Sequence, residues 1–234
     1  GSGDAGNLVI DTKQLQAIGG ILSTSTLSSG NAGEITITAT ESVMLGGTTA
    51  EERGHIRSNA RPGATGKVGR VVVDTPVLQL RDGAQITSIN AGDGDGGSVT
   101  IRANLVEAIG DSPDGLFPSA LITSTRGIGP GGNLIIETER LLISDGAQFG
   151  SGTSGVGDAG NIMVYASESV DVIGTDASGT GSSGLFTSAL NVTSTREETA
   201  GRGGNLVIET GRLRVAEGGR LQASAVGPGD GGSI

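Results

Sequence analysis

The sequence predicts an all-β fold, a β-solenoid of stacked coils, and three observations lead there. A glycine followed by a short alternating strand recurs along the whole chain, as in Gly131-Gly132-Asn133-Leu134-Ile135-Ile136-Glu137-Thr138 and again in Gly203-Gly204-Asn205-Leu206-Val207-Ile208-Glu209-Thr210. Glycine supplies 44 of the 234 residues without a Gly-X-Y period, which excludes collagen. Aromatic residues are only 2 % of the chain, so the core must be filled by Val, Ile, Leu, Ala and Thr, which suit short stacked strands.

The glycine before each strand serves as a ruler. It falls at Gly6, Gly33, Gly69, Gly97, Gly132, Gly160, Gly204 and Gly232, with spacings of 27, 36, 28, 35, 28, 44 and 28. Short and long coils alternate, so the unit is a pair of coils, and repeat periods of this size indicate a solenoid or array. The expectation is one repeat array over 1–234, with about seven coils starting near 6, 33, 69, 97, 132, 160 and 204 and a partial coil at 232.

Each coil opens on strand one, whose same-face residues are Leu8/Ile10, Ile35/Ile37, Val71/Val73, Val99/Ile101, Leu134/Ile136, Ile162/Val164 and Leu206/Ile208. Period two over such short runs argues half-buried strands. The third same-face position alternates between Thr (Thr12, Thr75, Thr138, Thr210) and Ala (Ala39, Ala103, Ala166), which predicts a registered column at a corner. The next position outward reads Asp11, Thr38, Asp74, Arg102, Glu137, Tyr165, Glu209, so acids never fall on adjacent coils; like charges stacked directly would repel.

Strand two follows, as in Leu15–Ala17 or Leu141–Ile143. In short coils a turn such as Asp82-Gly83-Ala84 or Asp145-Gly146-Ala147 comes next, and a third strand runs through Ile86–Ser88 or Leu221–Ala223. Three short strands per coil predict a triangular section. Long coils carry insertions between strands two and three, at Gly46–His55, Gly110–Ser119 and Gly174–Ser188. Two of them align by sequence: Gly115-Leu116-Phe117-Pro118-Ser119-Ala120-Leu121 with Gly184-Leu185-Phe186-Thr187-Ser188-Ala189-Leu190. Insertions at one place in alternate coils project from one side, where a solenoid carries binding. Glu51, Glu52, His55, Asp114, Phe117, Asp176 and Phe186 are the candidate interaction surface.

Charge and motifs narrow the chemistry. The net charge is −10, with 15 basic against 25 acidic residues, which argues against nucleic acid as a partner. There is no cysteine, so stability must come from repetitive packing. No apolar run approaches the ~18 residues of a membrane span. The chain starts Gly1-Ser2-Gly3 without Met or signal peptide, as expected of an excised piece or a mature fragment. Gly-x-Gly-x-x-Gly occurs five times, but each copy opens a strand, whereas a dinucleotide fingerprint opens a helix. No cofactor is expected.

Asp93 and Asp95 resemble half of a calcium-binding turn without its tandem copy, which leaves at most weak calcium binding. His55 is the lone histidine and reads as a surface polar residue, with neither a metal set nor a nucleophile beside it. Asn7, Asn133, Asn161 and Asn205 follow ruler glycines and predict stacked amides. No catalytic residue is expected.

The segment Gly131 to Gln148, with Gly-Gly-Asn-Leu-x-Ile-x-Thr followed by Leu-x-Ile and Asp-Gly-Ala-Gln, resembles the repeats of filamentous-haemagglutinin-like exoproteins. Asp158 to Val170 resembles the second half of the same paired repeat, and the resemblance covers nearly the whole chain. It implies a right-handed parallel β-helix, secretion by a two-partner (type V) route through a cognate outer-membrane pore, and an adhesin or surface-fibre role. The leading expectation is a non-catalytic structural rod segment, secreted or on the outer cell surface. It would meet a host or cell-surface glycan or protein, and continue or self-associate end to end. The alternative is a polysaccharide-binding or polysaccharide-degrading β-helix with its site beside the long-coil insertions.

Overall fold

The structure, a computed structural model, describes residues 2–49, 52–190, 201–226 and 230–234. These form an all-β arrangement of sixteen strands in two sheets. Numbered in chain order, sheet A holds β1 (Leu8–Ile18), β3 (Ile35–Gly46), β5 (Val71–Asp74), β6 (Val77–Arg81), β8 (Val99–Arg102), β9 (Leu105–Ile109), β11 (Leu134–Ser144), β13 (Ile162–Ile173) and β15 (Leu206–Ala216). Sheet B holds β2 (Ile21–Thr26), β4 (His55–Ala60), β7 (Gln85–Asn90), β10 (Ala120–Thr125), β12 (Gln148–Thr153), β14 (Gly184–Leu190) and β16 (Arg220–Val226).

The expected right-handed β-helix, with three short strands per coil around a triangular section, is corrected by this pairing pattern. There are two sheets, not three. In sheet A, β3 and β11 each run through both segments read as strands one and two. They pair with β5 and β6 on one side and with β8 and β9 on the other, so the pairings β3–β5–β8–β11–β9–β6 close on themselves as a six-strand parallel barrel. Sheet B is a flat, open parallel sheet in the order β16-β14-β12-β10-β7-β4-β2. Pro76, with no N–H to continue a ladder, stands at the break between β5 and β6, and its carbonyl takes both the Asn104 and the Leu105 N–H at 3.0 Å at the break between β8 and β9.

Within this architecture the predicted registers are observed. Leu8 stacks on Ile35, Ile35 on Val71, Val71 on Val99, Val99 on Leu134, Leu134 on Ile162 and Ile162 on Leu206. Most of this column and the next, through Ile37, Val73, Ile101, Ile136 and Val164, is fully buried. The same core takes Ile56, Ile86, Leu121, Phe149 and Leu185 from sheet B.

The Thr/Ala column is also in register, with Thr12 on Ala39, Thr138 on Ala166 and Ala166 on Thr210. The alternation follows the length of the bend at all levels but that of Ala103, where Asn104 alone precedes Leu105. The Ala39 and Ala166 levels carry two residues through the bend (Thr40-Glu41, Ser167-Glu168), and register shifts occur against their neighbours there. The threonine levels carry one residue, and each threonine hydroxyl donates to the carbonyl two residues on: Thr12 to Gln14 (3.1 Å), Thr75 to Val77 (3.4 Å), Thr138 to Arg140 (3.0 Å) and Thr210 to Arg212 (3.3 Å).

The ruler glycines are explained by close approach rather than by backbone conformation. A Cβ on Gly33, Gly69, Gly97, Gly132, Gly160, Gly204 or Gly232 would collide with the carbonyl oxygen of the ruler glycine one level before. The same holds three residues earlier for Gly66, Gly94, Gly129, Gly157 and Gly201. A third column two residues earlier still, Gly92, Gly127 and Gly155, meets the carbonyls of the level before in the same way, and the three columns write Gly-x-Gly-x-x-Gly as a packing requirement of neighbouring backbones.

Sheet B supplies a feature the sequence reading did not include. Thr24, Ser58, Ser88, Thr123, Ser151 and Thr187 form one inward column, each at most 7 % exposed. Five of the six hydroxyls reach across to ruler glycines, and that of Thr123 is buried without a hydrogen-bond partner. Thr24 and Ser58 donate to Gly33 O (2.6 and 3.0 Å), Ser88 to Gly69 O (3.2 Å), Ser151 to Gly132 O (3.1 Å) and Thr187 to Gly204 O (2.5 Å). A buried carbonyl without a partner is costly, and this column satisfies it. The stacked asparagines act similarly. The Asn7, Asn133 and Asn161 side-chain oxygens accept the backbone N–H of Glu34 (2.9 Å), Asn161 (2.9 Å) and Asn205 (2.8 Å) on the next level. The contact is amide to backbone, not amide to amide.

Candidate functional site

The insertions are short hairpins seated on glycine turns. Asp111 bridges Pro118, Thr175 bridges Ser182, and Gly47 bridges Arg53. Ser112 N–H donates to Phe117 O and Asp176 N–H to Gly181 O, both at 2.7 Å, so these residues are structural equivalents. The equivalence corrects the alignment read from the sequence. Gly184 stacks over Gln148 and hence Ala120, not Gly115, and Leu185 occupies the core column of Leu121. Phe186 is therefore the counterpart of Ile122, and Gly181 that of Phe117. The matching Leu-Phe-x-Ser-Ala-Leu strings lie out of register in space.

The seats are the turns of the short levels. Asp82, Asp145 and Glu217 have positive φ (54°, 55°, 55°) and are followed by Gly83, Gly146 and Gly218, also positive (76°, 93°, 90°). Two consecutive left-handed residues make the turn tight, and the first two are the predicted ones. Glu217-Gly218 was not anticipated, because Glu is not a turn former. Gly83 N–H donates to Ser119 Oγ (3.1 Å) and Gly146 N–H to Ser183 Oγ (2.9 Å), which pins each hairpin to the turn one level below.

The predicted site residues divide into four groups. Glu51 lies outside the described residues. Glu52, Asp114 and Asp176 are occupied within their own hairpins. Glu52 Oε2 accepts from Thr48 Oγ1 (2.9 Å). Asp114 accepts from Ser112 Oγ (2.5 Å) and Leu116 N (3.2 Å), and the Ser112 bond leads the causes that lower its pKa. Asp176 takes Ser178 Oγ (2.8 Å), Thr180 N (3.0 Å) and Gly181 N (2.9 Å), and the Ser178 bond leads the lowering of its pKa. Ser112/Asp114 and Asp176/Ser178 are thus the same hydroxyl–carboxylate pair with its members exchanged.

His55 and Phe117 are drawn together through Arg53, a residue the sequence reading passed over. The Arg53 guanidinium lies 3.6 Å from the centre of the Phe117 ring, joining two insertions across the short level between them. His55 opens β4 and is half-buried on the outward face of sheet B. Burial, followed by the charges of Arg57 and Arg53, lowers its pKa to about 4, so the imidazole is neutral at physiological pH. Its Nε2, with Arg53 Nε and Nη1 and Thr87 Oγ1, is buried without a hydrogen-bond partner.

Asp95, one of the two candidate calcium ligands, is paired with Lys67 at 2.8 Å. Among the described residues no group of three or more His, Asp or Glu is gathered as a metal site.

Phe186 is elsewhere, half-buried on the outer face of sheet B. That face has a distinctive chemistry. Although the chain carries 25 acidic residues, the seven strands of sheet B contain none. Its outward side chains are Ser, Thr, Asn and Gln, with a few apolar residues, His55, Arg57 and Arg220. On β12 the outward positions are Gly150 and Gly152, flanked by Ile122 and Ser124 of β10 and by Phe186 and Ser188 of β14. The missing side chains open a slot of ≈ 320 Å³. Gln148 lies at one end and Arg126 at the other. Phe186 folds its ring over Gly184, where an added Cβ would run into the ring. One sequence signal could have found the slot: Gly-x-Gly inside a strand (Gly150-Ser151-Gly152), away from the ruler columns.

Compared with known proteins, the chain matches no protein-family profile, no curated protein and no solved structure. The class that fold and site define is an all-β protein of registered parallel strands with an acid-free sheet face.

Proposed function

We propose that this chain is a non-catalytic structural segment of a secreted or surface-exposed, adhesin-like exoprotein. The observation that carries the reading is the level-to-level identity of the contacts. Successive levels repeat the same apolar columns and the same glycine-on-carbonyl approach, and five of them add a hydroxyl bond to a ruler glycine, so material is added along the stack without a new solution for each level. The likeness of Gly131–Gln148 and Asp158–Val170 to filamentous-haemagglutinin-like repeats supports export through a dedicated outer-membrane pore and display outside the cell.

Continuation of the same stack is favoured over docking of copies end to end. Placing β1 of a second copy on β15 in the register of the other levels sets Asp11 against Glu209 and Thr12 against Thr210. Both contacts are avoided at every internal level.

The test is protease shaving of intact cells that make the protein. External protease is expected to release the chain without lysis, and deletion of a neighbouring outer-membrane pore gene is expected to abolish that release. Protection of the chain inside intact cells overturns the reading, as does turnover of any polysaccharide by the purified chain.

A further inference from the structure

We infer that the slot over Gly150 and Gly152 on sheet B binds a segment of an acidic polysaccharide, with a sugar ring against Phe186 and its carboxylate toward Arg126. This goes beyond the structural role proposed above and does not depend on it.

Three observations carry the inference. The first is that nothing in the backbone demands glycine at position 150. A Cβ there would meet nothing nearer than the Phe186 carbonyl oxygen at 3.9 Å, whereas ruler-column glycines face collisions. A strand-interior glycine that is free to be larger leaves room for something to enter.

The second is the lining. The partly exposed Phe186 ring and Ile122 offer apolar walls, while Gln148, Ser124 and Ser188 both donate and accept hydrogen bonds. A sugar ring has that same dual character, with C–H faces that pack on an aromatic ring and hydroxyls at its rim. A volume of ≈ 320 Å³ lies within the roughly 300–1,000 Å³ of small-molecule sites.

The third is charge. Arg126, which follows β10, is exposed at the slot's end and pairs with no carboxylate among the described residues, whereas all five arginines on the strands of sheet A are in ion pairs. No acid on any sheet B strand opposes an incoming anion. An unpaired guanidinium presents a planar fork that matches a carboxylate, which favours a uronate-type chain over a neutral one.

The experiment is calorimetric titration of the whole chain with oligogalacturonate and with its methyl ester, which keeps the sugar rings and removes the charge. Binding of the acid form is expected, weakening as salt is raised. Gly150→Val, which fills the slot, and Phe186→Ala are each expected to weaken it at least ten-fold with the thermal midpoint unchanged. Arg126→Gln is expected to abolish the preference for the acid over the ester.

Failure of the wild-type chain to bind, equal affinity for acid and ester, or wild-type affinity in Gly150→Val each overturns the inference. Should Gly150→Val disturb folding, Phe186→Ala decides alone. Because the titration uses purified protein, its outcome is independent of the cell-shaving test.

Discussion

The outward faces of the two sheets are built on opposite rules. Sheet A carries charge on most levels and manages it by interleaving. Arg102 stands between Asp74 and Glu137 and bonds the latter at 3.0 Å. Arg140 approaches Glu168 (3.7 Å), and Arg212 reaches Asp171 (3.0 Å). The strands of sheet B carry no acids, present uncharged polar side chains outward, and place further hydroxyls inside, where they bond glycine carbonyls. A stack held together only by its core would not need this division. Sheet A spends its outer face on spacing like charges, which leaves sheet B free to present a neutral-to-basic surface on an acidic molecule.

The largest test of that contrast is acid titration of His55, the half-buried base on sheet B. Its folded pKa of about 4 lies below the ordinary 6.5, so the folded state disfavours the proton that the unfolded chain accepts. Stability is therefore full above pH 6.5 and falls as pH drops toward 4. The loss is about 3 kcal/mol at ~1.36 kcal/mol per pKa unit. The charged groups facing the imidazole are Arg57, Arg53 and, through Arg53, Asp114. Chemical denaturation between pH 7 and 4 should show this slope, and His55→Gln should flatten it. The lowered carboxyls of Asp114 and Asp176 act in a separate window. Their contribution is present above the usual carboxylate pKa and is lost as pH falls below it.

Next in size is the inner column. Ser151→Ala removes the donor to Gly132 O, in a site only 1 % exposed. A stability loss of about 1–3 kcal/mol is expected, because the buried carbonyl is left without that donor. Ser151→Thr should recover most of it, as threonine serves the same role at positions 24 and 187. Urea melts of the three proteins check this.

The smallest effect belongs to sheet A's outer face. Arg102→Ala deletes an ion pair whose two side chains are each 48 % exposed, and it should cost less than about 1 kcal/mol, shrinking further in high salt. A loss there as large as that of Ser151→Ala would erase the distinction between the sheets.

Much of the stack was legible from residue order alone, because each of the signals is local. The in–out alternation from Leu134 to Ile136 fixes which side faces the core. Asp82-Gly83 and Asp145-Gly146 encode left-handed turns in the identities of two neighbours. The Thr/Ala column was visible as a pattern, though the hydroxyl that each threonine donates across the bend to the carbonyl two residues on was not.

The candidate site was less legible. Asp114 and Asp176 stood out as loop acids but serve their own hairpins, and Phe186 was assigned to an insertion through the strong string match with Phe117. String similarity weighs residue identity, whereas register is set by which residues share a core column. Leu185 is held by Phe149 and Leu121, and this displaces the match.

Residue order by itself therefore determined the period of the levels, the buried face of each strand and the positions that must be glycine. These follow from alternation, turn chemistry and repetition along the chain. Only the tertiary structure decided that the strands form two sheets with a closed ring in one. It also decided that His55 is shielded beside Arg53, and that Gly150 and Gly152 open a slot between Ile122 and Phe186. Each of those depends on residues ~30 to ~70 positions apart meeting across parallel strands, where a single interruption such as Pro76 or a missing side chain redirects the pairing of its neighbours.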